Sequence, residues 1–126
     1  MQNSNDVFFF YYSKNIAFEK VIILIRNPYD TLMAEFNRRL TNNNHTGHAD
    51  LKLYSNYILK YFDQTLPNWV QFHDTVLNTY SPPNIHAVNY EKLKSNLIEE
   101  MGKILKFLGF EMTEELSVII FKSVFN

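Results

Sequence analysis

The sequence predicts an α/β fold that is rich in helix, with a short parallel sheet flanked by helices. Two apolar runs carry that prediction: Val21–Ile25, five residues of mostly β-branched side chains, and residues 84–90, which read as a shorter strand. Each runs into a helical pattern, and a strand followed by a helix is the unit from which parallel sheets are built. The third observation is size. With 126 residues, of which 46% are hydrophobic, the chain is one domain's length and can bury a real core.

Taken in order, residues 1–6 are polar and residues 7–12 form an apolar and aromatic run consistent with a short strand. Val21–Ile25 is the first firm strand, its unbroken apolar character suiting a strand buried on both faces. The turn chemistry that follows starts a helix over Pro28–Leu40. Asn27 is placed to cap it, Pro28 suits its first turn, and Asp30 complements its positive end. Leu32, Phe36 and Leu40 form its apolar stripe, with Arg38 and Arg39 at its negative end. Residues 41–50, with three consecutive asparagines and Gly47, read as an exposed loop. A helix over 51–62 and a second over 67–78 follow, the latter opened by Pro67 and closed by Ser81-Pro82-Pro83. After the second strand, one helix uses Leu93, Leu97, Met101, Ile104, Leu105 and Leu108 as core, and Gly109 stops it. Thr113 caps a last helix with Glu114 and Glu115 in its first turn and Leu116, Ile119 and Ile120 inward.

Composition excludes several classes of function. A net charge of −1 gives no broad attraction to nucleic acid or to an anionic membrane, so any anion site must be local. No cysteine is present, which removes disulfides and thiolate metal sites. No apolar run reaches the roughly 20 residues that cross a bilayer, and residues 1–12 lack the pattern of a signal peptide, so the chain reads as soluble and makes no membrane contact itself. Three glycines, none in a P-loop spacing, argue against a kinase-like nucleotide domain.

Arg26 is the leading site candidate. A strand that runs into a helix puts it at the carboxyl edge of the sheet, where open α/β folds bind ligands, with free backbone N–H groups beside it. Arginine there can grip a phosphate or sulfate with two parallel hydrogen bonds. The alternative is an ordinary strand-end arginine paired with Asp30 or Glu35. Tyr90 stands at the second strand-to-helix junction and, in a parallel sheet, opens onto the same edge, where its ring can border a nucleobase; a half-buried aromatic is its other reading. The four histidines suggest no metal site. His45 and His48 lie in the Asn-rich loop without a carboxylate set, and His86 reads as a satisfied structural residue on the second strand.

Arg26-Asn27-Pro28-Tyr29-Asp30 behind its apolar strand resembles the 3′-phosphate-binding motif of sulfotransferases that use 3′-phosphoadenosine 5′-phosphosulfate (PAPS). Tyr90-Glu91-Lys92-Leu93, continuing to Lys103-Ile104-Leu105-Lys106-Phe107-Leu108-Gly109, resembles the family's YEDL segment and the helix after it. Glu35-Phe36-Asn37-Arg38, with Trp69 and His73, is most similar to the WSC-domain-containing sulfotransferase-like proteins, which are linked to sulfation of sialylated glycans. The likeness covers roughly residues 18–120 and implies a partial, P-loop-NTPase-like sulfotransferase domain, with residues 1–17 poorly defined. It also implies PAPS as donor with no metal, a carbohydrate hydroxyl as acceptor, and a Golgi setting for the full-length form. In that frame Arg26 holds the 3′-phosphate, Tyr90 borders the adenine, Asn27 and Thr31 are neighbouring donors, and His73 lies near the acceptor.

The likeness also has gaps. Where cytosolic members carry a phosphate-binding serine eight residues after the arginine, this chain has Ala34. A lost donor to a charged phosphate costs about 1.5–3 kcal/mol if nothing replaces it. The family's cradle for the 5′-phosphosulfate and its catalytic base, normally upstream of Arg26, have no match here, and Glu19 sits too close to the strand. A truncated, non-catalytic binding module is therefore the alternative. A chain without those elements is expected to expose apolar sheet surface and to be marginal or self-associating.

Overall fold

In a computed structural model of the chain, the structure describes residues 18–41 and 47–125. The elements are β1 (Val21–Ile25), α1 (Pro28–Leu40), α2 (Leu51–Thr79), a 3-10 turn (Pro82–Asn84), β2 (Ile85–Asn89), α3 (Tyr90–Ser95), α4 (Leu97–Leu108) and α5 (Glu114–Phe125). The expected α/β character holds: helices dominate, and β1 and β2 form a two-stranded parallel sheet. The strand expected over 7–12 and the middle of the Asn-rich loop, His45 included, lie outside the described residues. No helix among the described residues is long and apolar enough to cross a membrane. The chain divides into two compact units, one containing residues 27–79 and the other residues 18–26 with 80–125.

The first unit is α1 packed with α2. Asn27 caps α1 as its sequence position implies, its side-chain oxygen accepting from the backbone N–H of Tyr29 at 2.9 Å and of Asp30 at 3.4 Å. Leu32 is fully buried and Phe36 nearly so, one turn apart on the predicted stripe. Phe36 meets Tyr54 edge-on at 5.2 Å and Tyr61 at 4.9 Å, so aromatic rings fill much of this core. Each such buried side chain contributes about 1.5–3 kcal/mol relative to leaving it in water. Beyond α1, the Asn37 side chain ties down the return of the chain: it donates to Gly47 O at 2.6 Å and accepts from Ala49 N at 3.0 Å.

α2 corrects the sequence reading, for it is one helix of 29 residues with Pro67 inside it rather than two helices. Proline forfeits one helical hydrogen bond and crowds the carbonyl four residues back, a cost of about 3 kcal/mol in a helix interior. The burial pattern explains why the helix continues. Thr65, His73 and Val76 are buried, and Phe62, Leu66 and Trp69 are half-buried, all at three- and four-residue steps that pass the proline without losing phase.

In the second unit β1 and β2 pair from Val21 with Ile85 through Ile25 with Asn89. Ile23 and Val88 are its most buried apolar residues, at 5% and 1% exposure. Ile22 and Leu24 are exposed, so β1 is not covered on both faces as its composition suggested. The helix expected after β2 is broken: Asn96 takes φ −135° and ψ 52°, ending α3 and preceding α4. Ser95 and Asn96 compete with helical backbone bonding, which the regular leucine spacing concealed. The leucine stripe of α3 and α4 is half-buried rather than core, and Leu108 is exposed. Gly109 ends α4 in the left-handed conformation, φ 89°, as expected. Thr113 caps α5 through a 3.2 Å bond from Leu116 N. Leu116 and Ile120 are half-buried, but Ile119 is exposed, because α5 is apolar around most of its circumference and periodicity cannot choose its face.

Candidate anion site at the end of the parallel strands

The last pair of the parallel ladder is Ile25 with Asn89. Continuing that register by one residue sets Arg26 beside Tyr90, and the Arg26 guanidinium lies over the Tyr90 ring, 4.8 Å from its centre. Both side chains are half-buried. Asn89 anchors the tyrosine's helix, accepting from Lys92 N at 2.8 Å, so Tyr90 starts α3 at a capped turn. Among the described residues Arg26 forms no ion pair. Contact over a ring uses the guanidinium's face and leaves its N–H groups, which lie in the plane, for a ligand. That donor set fits a phosphate monoester.

Glu35 is otherwise engaged. It accepts from Arg38 Nε at 2.7 Å and Nη2 at 2.6 Å, and from Arg39 Nε at 2.8 Å. Burial alone pushes the Glu35 carboxyl up, but hydrogen bonds and charge from the two arginines together outweigh it and hold the group below the ordinary carboxylate range. Arg39 also lies over Tyr61 at 5.5 Å, a second arginine on a tyrosine, with its Nε–H given to Glu35. Burial raises the Tyr61 phenol above its ordinary value.

The other predicted donors are committed locally. The free N–H groups expected at the start of α1 are those of Tyr29 and Asp30, and Asn27 already receives both. The Thr31 hydroxyl donates to Asn27 O at 3.0 Å. Ala34 is exposed, and the Asn37 amide is used in the loop contacts to Gly47 and Ala49. His73 is buried in the first unit, stacked on Trp69 at 3.9 Å, with Nδ1 2.7 Å from the Trp69 carbonyl. A carbonyl only accepts, so Nδ1 is the donor in this bond. His86 departs from expectation: it stacks on Phe107 at 5.4 Å, but its buried Nε2 has no hydrogen-bond partner among the described residues.

Two further contacts were not among the sequence expectations. Lys20 donates to Phe107 O at 2.7 Å, near the end of α4, and lies over the Phe107 ring at 5.2 Å. Lys103 bridges Glu100 at 2.6 Å and Glu99 at 2.8 Å, bonds that push its ammonium up to about 12 and let Glu100 be buried. Such pairs depend on how side chains turn on a folded helix, although the three- and four-residue spacing of Glu99, Glu100 and Lys103 hints at the second.

A model of the Sulfotransferase domain matches residues 13–126, which takes in both strand-to-helix junctions. The chain belongs to the sulfotransferase domain family. Among its curated relatives is Sulfotransferase 6B1 of Mus musculus, 28% identical over 101 residues that cover 76% of this chain and 31% of the relative. A WSCD family member of Aedes aegypti is 31% identical, covering 77% of this chain and 31% of that protein. A WSCD family member of Drosophila melanogaster is also 31% identical, over 79% of this chain and 32% of its own length. The chain thus spans just under a third of the length of these relatives. No solved structure matches it.

Proposed function

We propose that this sulfotransferase-family chain forms the part of a PAPS-dependent sulfotransferase that holds the 3′-phosphate end of the donor. The observation that carries the reading is Arg26, held over Tyr90 where the parallel strands end, with no carboxylate partner among the described residues. In this reading Arg26 grips the 3′-phosphate and Tyr90 borders the adenine. Asn27 and Thr31 act indirectly, by fixing the start of α1 after Arg26, and His73 belongs to the acceptor side. PAPS, when bound, supplies the sulfuryl group, and the acceptor is a hydroxyl on a carbohydrate, as the motif resemblance of the sequence implies. The same reading takes the parallel pair as part of a single P-loop-NTPase-like sheet and assigns the full-length protein to the Golgi. A tagged full-length protein found outside that compartment would remove the last assignment.

The test is calorimetric titration of the chain with 3′-phosphoadenosine 5′-phosphate. A hydrogen bond to a charged group contributes about 1.5–3 kcal/mol, so Arg26→Ala is expected to weaken binding by about 10- to 150-fold. Equal binding by wild type and variant would remove the reading.

A further inference from the structure

Two arginines in this chain lie over tyrosine rings, and they differ in what their edges do. Arg39, over Tyr61 at 5.5 Å, gives its Nε–H to the Glu35 carboxylate. Arg26, over Tyr90 at the shorter distance of 4.8 Å, makes no side-chain hydrogen bond among the described residues. An arginine side chain has four rotatable bonds, and fixing it when a ligand arrives costs rotamer entropy. A ring that holds its face beforehand removes part of that cost while leaving the fork of N–H donors open.

We infer that Tyr90 is a positioning residue for Arg26: its ring holds the guanidinium by the face so that the edge is presented to a phosphate. This rests on the reading of Arg26 as the 3′-phosphate ligand and adds to Tyr90 a role separate from bordering the base. The placement comes from the backbone, because the parallel register sets the two residues side by side just beyond the last ladder pair and the Asn89 cap fixes where Tyr90 begins its helix. The interaction is with a π face, so the phenol hydroxyl is dispensable to it.

The roles separate when two nucleotides that differ only in the 3′-phosphate are compared, 3′-phosphoadenosine 5′-phosphate and adenosine 5′-phosphate. The readout is the ratio of their dissociation constants on the same chain. Tyr90→Leu is expected to lower that ratio by about 5- to 10-fold, from the strength of a half-buried cation–π contact. Tyr90→Phe and Tyr90→Trp keep a π face and should hold the ratio within about twofold of wild type. On an Arg26→Ala background, Tyr90→Leu should leave the ratio unchanged, since the residue it positions is gone. If Tyr90→Leu weakens both nucleotides equally, Tyr90 contacts the base alone and the inference is overturned. Loss of the ratio in the Phe and Trp variants overturns it as well, and those two decide the matter should the Leu variant fail to fold. A wild-type chain that binds both nucleotides equally would instead remove the assignment of Arg26, and the positioning role with it.

Discussion

Replacing Glu35 by alanine removes a carboxylate that accepts from both Arg38 and Arg39 in the first unit. Three bonds of 2.6–2.8 Å to the two adjacent guanidinium groups disappear. An exposed ion pair on a helix contributes only about 0.3–0.5 kcal/mol. These side chains are less exposed, 14% for Glu35, 25% for Arg38 and 31% for Arg39, and the Arg38 contact is two-pronged. A value near 1 kcal/mol per arginine follows, so Glu35→Ala should destabilise the chain by about 1.5–2 kcal/mol. Part of that loss runs through Arg39, which lies over Tyr61 and thereby over the aromatic contact with Phe36. The pH dependence has a definite sign. Because the folded Glu35 carboxyl sits below its ordinary value of 4.5, its contribution is present above that value and is lost as pH falls through the folded one. Urea unfolding followed by circular dichroism should therefore show the full gap between wild type and variant at pH 7 and a narrower one at acid pH, below the folded carboxyl value. A gap under about 0.5 kcal/mol at pH 7, or one that stays the same in acid, would mean that the ionised Glu35 does not stabilise the two arginines.

Two further substitutions test particular elements. Gly109→Ala meets no neighbouring atom within 4 Å, so its expected cost of about 1 kcal/mol comes from the left-handed backbone alone, and Gly109→Asn should recover part of it; equal melting of all three proteins would contradict that. Pro67→Ala should raise the melting temperature, because an interior proline costs a continuous helix up to about 3 kcal/mol, whereas a fall would favour a helix boundary at that residue.

Much of the local structure was legible in the sequence. The β1 strand, the span of α1, the Asn27 cap and the stop at Gly109 all rest on neighbours within a few residues, and each was expected where it stands. The errors share a cause. Pro67 and the leucine spacing around Asn96 are local signals, and whether a helix passes or breaks there depends on burial further along the chain. At the candidate site, Arg26 and Tyr90 were legible as the first residues after their strands, but the turn of the Thr31 hydroxyl onto Asn27 O and a His86 Nε2 without a partner among the described residues were not.

The family, the two strands and the residues that end them follow from the sequence, because motif spacing, caps and apolar periodicity are written in consecutive residues. That Arg26 rests on Tyr90 follows from the folded chain alone. That contact depends on register between strands about sixty residues apart in the chain, and nothing local to either strand encodes which residue will stand beside which.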